Sequence, residues 1–186
     1  VDAHTVVGHR IVKGWAPEHR VYFALKSDCP IAELLVFDDG ELMVDSSQII
    51  AWLESIAEPG KSLWPTDPAG YRRCLQLVSL GLAAAEKSVH RVYELKVRAA
   101  KHRDPDWLER VDGQIADTYA LLERQLGDSE WLCGERVTQA DITVAVAWRF
   151  THFTAPGLLA DSDHPRLAAL SAAAEALPAF IAADYS

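Results

Sequence analysis

The junction "DDGELMVDSSQIIAWLE", residues 38–54, places an acid and two hydroxyls where a strand runs into a helix. Asp39-Gly40 is a tight-turn pair, Glu41–Val44 reads as a short strand, and Ile49, Ile50, Leu53 and Ile56 recur at helical spacing. Asp45, Ser46 and Ser47 supply capping side chains. A helix start also presents unpaired N–H groups and a positive dipole end, so the same residues could hold a carboxylate or phosphate. A second cluster, Glu86, His90 and Glu94, repeats every fourth residue and could ligate one ion from a single helix face. No Glu-x-x-His companion accompanies it, so a solvated, ion-paired helix face is the better reading and no metal is expected. The histidines lack a Ser or Cys companion at a nucleophilic spacing and read as surface residues. The three cysteines, Cys29, Cys74 and Cys133, are odd in number and form no CxxC pair. They are expected to be reduced thiols, neither a disulfide framework nor a zinc site.

Two kinds of chain position these groups. Up to about residue 45, "HTVVGHRIVKGW" and "IAELLVFDDGELMV" read as strands, and "PEHRVYFALK" between them reads as a short helix with Pro17 in its first turn. The proline-rich "EPGKSLWPTDP" reads as an interdomain linker. Helical patterns follow. Asp67-Pro68 opens a long helix to about Ala100, and Asp104-Pro105 opens another with the stripe Trp107, Val111, Ile115, Leu122 and Leu126, stopped near Gly127. A third helix starts in "RVTQADITVAVAWRF", a fourth follows "DSDHP", and Pro178 breaks off a short last piece. Thr138 and Asp141 have the spacing of a capping box, flanked by Val137 and Ile142 as a hydrophobic staple. "ITVAVAW" is apolar on nearly every side, so this helix is expected to be buried, with core packing for Trp107, Trp131 and Trp148. The expected fold class is α+β: residues 1–57 an α/β domain, 58–68 a linker, and 69–186 an all-α helical bundle.

Composition narrows the function. With 186 residues, 49% of them hydrophobic, a net charge of −9 and a pI of about 5.2, the chain can bury a core. Its basic residues are scattered, which argues against nucleic acid as a partner. Neither a membrane-length apolar run nor a signal-peptide core is present, so the expected setting is cytoplasmic, away from the membrane.

An α/β unit ending in "DG-x-x-x-x-D-S-x-x-I-I-x-W-L", a proline-rich linker and a helical domain carrying "WLCGERVTQADITVAVAW" together resemble the glutathione S-transferase family. The resemblance covers roughly residues 10–186 and implies a thioredoxin-like N-terminal domain. It implies that Asp45 and Ser46 hold the γ-glutamyl end of glutathione, the hydroxyl and helix amides taking its carboxylate and the acid lying near its amino group. It implies glutathione as co-substrate, conjugated to a small apolar electrophile in a cleft whose wall includes His90, Tyr93 and Glu94, and a homodimeric assembly.

Two departures bear on these implications. Aligning "APEHRV" to the family's "S-P-x-x-R-R-V" puts Ala16 where a hydroxyl or thiol stabilises the reactive thiolate, and alanine does neither. The catalytic group is therefore unassigned near Trp15 and Ala16, with Lys13 and Trp15 as substitute donors. Between residues 26 and 34, "KSDCPIAEL" stands where the family has a strand, a loop and a helix. Either the half-domain is trimmed or a segment is absent, and the second is favoured because a missing central strand leaves apolar edges uncovered. Two other function classes stay open: a non-catalytic binding or assembly module of the same fold, which Ala16 favours, and a thiol or dehydroascorbate-type reductase, disfavoured because Cys29 lies past the first helix.

Overall fold

The computed structural model describes residues 20–22, 34–37, 41–127 and 129–182. Lys13, Trp15, Ala16, Cys29 and nearly all of the segment between residues 26 and 34 lie outside them. The chain divides into two compact units, the first ending at Ser62 and the second spanning Leu63–Ala182.

In the first unit β1 (Arg20–Tyr22), β2 (Leu34–Val36) and β3 (Leu42–Val44) form an antiparallel sheet in that order. The expected helix over "PEHRVYFALK" is corrected at its centre, where Arg20–Tyr22 is strand. Val21 is β-branched and Tyr22 aromatic, types that fit a pleated surface, and pairing with β2 (Val21 opposite Leu35) overrides a weak helical pattern. The β2–β3 hairpin sets Leu34 opposite Val44, and Phe37 N–H donates to the Glu41 carbonyl at 2.9 Å across its loop. β3 leads directly into α1 (Ser46–Ser55). Its residue Ile49 is buried and Trp52 meets Phe37 edge to face at 4.8 Å.

The second unit is helical: α2 (Pro68–Val92), α3 (Pro105–Gln125), α4 (Gln139–Thr154), α5 (Pro165–Glu175) and the short α6 (Pro178–Ala182). Both Asp-Pro starts are true caps. Asp67 Oδ1 accepts from Gly70 N–H at 2.8 Å, and Asp104 Oδ1 accepts from the Asp106 and Trp107 amides at 3.1 Å each. α2 ends earlier than expected. Its last turn widens to a π turn over Tyr93–Val97, closed by Arg98 N–H on the Tyr93 carbonyl at 2.8 Å.

α4 is the buried centre, packed against α2 and α5. Gly81 allows the close approach of α2, since a Cβ there would lie 3.1 Å from a Thr143 methyl and 3.3 Å from one of Val144. The capping box forms, and the fully buried Asp141 does more than close it. Its Oδ2 accepts from the Thr138 amide and hydroxyl, both at 2.7 Å, and its Oδ1 accepts from Leu132 N–H, also at 2.7 Å. The core is Leu77, Val111, Ile115, Leu122, Val144, Trp148 and their neighbours. Trp131 and Trp148 are buried as expected; Trp107 is not, because it sits in the first turn of α3 at the end of the bundle, 39% exposed. Inside, one hydroxyl cluster joins three helices. Thr151 Oγ1 on α4 lies 2.7 Å from Ser88 Oγ on α2 and 2.8 Å from Tyr119 Oη on α3. Ser88 Oγ and Thr151 Oγ1 also lie 3.0 and 2.9 Å from the carbonyls four residues back in their own helices. Burial raises the Tyr119 pKa, against a smaller lowering by the Thr151 hydrogen bond.

Candidate functional site

The strand-to-helix junction turns on Asp45. Among the described residues it is the non-glycine with positive φ, at φ 74° and ψ 118°. L-residues avoid this region, at a cost of about 1–3 kcal/mol, and such strain persists where the surroundings fix it. Here the sheet fixes one side and the cap the other. Asp45 Oδ1 accepts from Ser47 N–H at 2.9 Å and from Gln48 N–H at 3.3 Å. Of the three capping candidates, the structure selects the first. Asp45 is the N-cap and Ser46 the first helical residue, half-buried beside it. The reason is geometric: a side chain reaches back to the second and third amides only from the residue just outside the helix. Acid and hydroxyl thus stand side by side at the positive end of α1, an acceptor next to a donor. That is the pairing a zwitterionic head group requires.

The candidates on α2 separate. His90 is half-exposed, its Nε2 3.6 Å from Glu86 Oε1 and its ring 6.3 Å from that of Trp107. Tyr93 is 60% exposed. Glu94 is 3% exposed, and both its oxygens are engaged: Oε1 accepts from Asp104 N–H at 2.7 Å and Oε2 from Arg98 Nε at 2.9 Å. Its expected place in a cleft wall is corrected; Glu94 ties the start of α3 to the end of α2. Residues four apart drift about 40° per step around a helix, so the face that is open at Glu86 has turned inward by Glu94. Among the described residues no group of three His, Cys, Asp or Glu side chains is disposed around a cation. A groove of about 370 Å³ between α2 and α3 is lined by Arg73, Leu77, Leu80 and Gln125. Its cation is already committed, Arg73 donating to the carbonyls of Leu132 at 3.1 Å and Gln125 at 2.7 Å.

Sequence reasoning missed the backbone strain at Asp45, for which residue type gives no signal beyond Asp tolerating positive φ better than most. It also missed the commitment of Glu94, whose main partner lies in the next helix.

Residues 105–173 match the family model of the glutathione S-transferase C-terminal domain. No curated protein matches. A glutathione S-transferase from Methylobacterium radiotolerans, solved with glutathione sulfonate, is 30% identical with a TM-score of 0.73, over 80% of this chain and 69% of that one. A glutathione transferase family member from Pseudomonas fluorescens with bound S-(propanoic acid)-glutathione is 29% identical with a TM-score of 0.74, over 82% of this chain and 76% of its own. With glutathione bound, that family member gives 29% identity and a TM-score of 0.73, over 84% and 75%. The fold is that of a thioredoxin-like unit followed by an all-helical domain, and the chain belongs to the glutathione S-transferase family. Among the described residues no helix is long and apolar enough to cross a membrane.

Proposed function

We propose that the chain binds glutathione at Asp45 and Ser46 and conjugates its thiolate to small apolar electrophiles. The observation that carries this reading is Asp45 held at positive φ beside Ser46 at the start of α1, in a chain whose relatives carry glutathione or its derivatives. In this reading the α1 N-terminus and Ser46 receive the γ-glutamyl carboxylate, and Asp45 faces the amino group. A free thiol near pKa 8.5 is mostly protonated at neutral pH, so the site must favour the thiolate. With alanine at position 16, backbone amides supply that stabilisation, helped by Lys13 or Trp15. Tyr93 and His90 are the cleft-wall candidates that keep exposed side chains. The exposed apolar residues Tyr71 and Leu75, one turn apart on α2, support self-association as a homodimer, which sedimentation tests. The proposed setting is cytoplasmic.

Calorimetric titration with glutathione tests the site. Ser46→Ala should weaken binding by about 1–3 kcal/mol, the cost of stranding one charged contact. Because Asp45 makes the cap, the variant should lose at most about 1 kcal/mol of fold stability. Unchanged affinity removes Ser46 from the site, and absence of binding by the parent chain removes the reading. Ala16 favours a second reading, a binding module without turnover. Glutathione binding with no conjugation of chlorodinitrobenzene would select it.

A further inference from the structure

Cys74 and Cys133 are far apart in sequence and are the free cysteines among the described residues. The fold brings them together. Cys74 is fully buried on α2 within the core, and the half-buried Cys133 packs against that core from the segment leading into α4. Arg73, next to Cys74, donates through Nε to the carbonyl of Leu132, next to Cys133, at 3.1 Å. The Cys133 segment is pinned on its other side too, by Leu132 N–H on Asp141 at 2.7 Å and by the bridge between Trp131 and Gly134. The two thiols share a hydrogen bond, with the Thr138 hydroxyl in reach of both.

From this arrangement we infer that Cys74 and Cys133 are a dithiol that closes to an intramolecular disulfide on meeting a low-molecular-weight disulfide. The two thiols are neighbours, and the flanking segments are tied by Arg73 on the Leu132 carbonyl and by Leu132 N–H on Asp141. Closing requires the two sulfurs to approach to the length of a disulfide bond, about 2.05 Å. The electrostatics suit the exchange. The Cys133 thiol, donating to Cys74, holds the Cys74 pKa down to about 7 against its burial, helped by the Ala140 amide and the Thr138 hydroxyl. The same bond, with burial, raises Cys133. One thiolate is thus available near neutral pH, shared across the pair.

The exchange balances without another reagent. The pair shares one proton; with that proton on Cys74, Cys133, the accessible member, attacks one sulfur of the small disulfide, and the departing small thiolate takes the proton from Cys74. The Cys74 thiolate then attacks the Cys133 sulfur and expels the second small thiol. Two cysteine thiols and one disulfide become one protein disulfide and two small thiols, with two electrons passing to the reagent. The bond closes a loop containing the rest of α2 and all of α3, so the oxidised form should also melt higher.

The test uses the full chain as its Cys29→Ser variant with 2-hydroxyethyl disulfide, a neutral reagent that does not depend on any glutathione site. After equilibration, the expected intact mass is lower by two hydrogens, with no thiol left to alkylate after denaturation. A cross-linked Cys74–Cys133 peptide should appear, and dithiothreitol should reverse the change. Adding Cys74→Ser should stop the reaction at one mercaptoethyl group on Cys133. Two thiols still alkylable after denaturing the equilibrated parent, or a persisting single adduct in place of the cross-link, would overturn the inference.

Discussion

Replacing Asp141 with alanine removes one carboxylate and strands three donors. Two of them, the amides of Leu132 and Thr138, are bound at 2.7 Å by an acid with no solvent exposure, so water cannot take over. A buried donor left unpaired costs about 1–3 kcal/mol, giving about 2–6 for the two amides. The Thr138 hydroxyl can rotate to another acceptor and adds little. The variant no longer holds a carboxylate out of water, which returns part of the loss, so the expected net destabilisation is about 2–4 kcal/mol. Urea unfolding followed by tryptophan fluorescence should show a lower midpoint at unchanged slope. Amide exchange should accelerate at Leu132 and Thr138 before the rest of α4. Glutathione affinity per folded molecule should not change. A loss below about 1 kcal/mol with those amides still protected would refute the reasoning, because another acceptor would then be serving them.

Three further outcomes follow from single contacts. Glu123 on α3 accepts from the Arg166 and Leu167 amides at 3.0 and 2.9 Å, capping α5 from another helix; Glu123→Ala should cost about 1–2 kcal/mol and expose both amides to exchange. Tyr119 keeps its proton in the fold above the pH where an unfolded tyrosine loses it. The unfolded chain therefore binds fewer protons there, and stability should fall as pH rises past about 10, by up to about 1.4 kcal/mol per unit. In alkaline urea melts Tyr119→Phe should remove that slope, and an unchanged slope would reassign it. Ala16→Ser should raise turnover of chlorodinitrobenzene and lower the pKa of the bound glutathione thiol, read from thiolate absorbance. A parent chain already showing a strongly lowered thiol pKa would point to Lys13 or Trp15 instead.

Features carried by neighbouring residues were legible in the sequence. Asp67-Pro68, Asp104-Pro105 and Thr138-x-x-Asp141 each encode a helix start within four positions, and all three form as written. The Asp45-Ser46 junction was legible as a cap, though not which residue makes it. Features carried by long-range pairing were hidden. Glu94 at the entrance to α3, Glu123 at the entrance to α5 and Asp141 on Leu132 are carboxylates whose partners lie in another segment. Composition marks such residues as surface charges, and only tertiary packing shows that they are acceptors for otherwise unsatisfied amides. The strand at Arg20–Tyr22 was misread for the same reason: three residues have no periodicity of their own, and their partner strand decides.

The hydroxyl cluster at Thr151 has a consequence in the counting of hydrogens. Four short contacts meet there, from Ser88 to the Ala84 carbonyl, Ser88 to Thr151, Tyr119 to Thr151, and Thr151 to the Ala147 carbonyl. Three hydroxyls supply three hydrogens, so one contact is always without one. With the phenol pointing at Thr151, two consistent patterns remain. In the first, Ser88 points to its own helix and Thr151 points to Ser88; in the second, Ser88 points to Thr151 and Thr151 points to its own helix. Having both point home would leave two oxygens facing each other at 2.7 Å with nothing between them. The two rotors must therefore turn together, and the orientation of a hydrogen on α2 is locked to that of one on α4. Thr151→Val would uncouple them and leave the Tyr119 phenol searching a sealed interior for an acceptor.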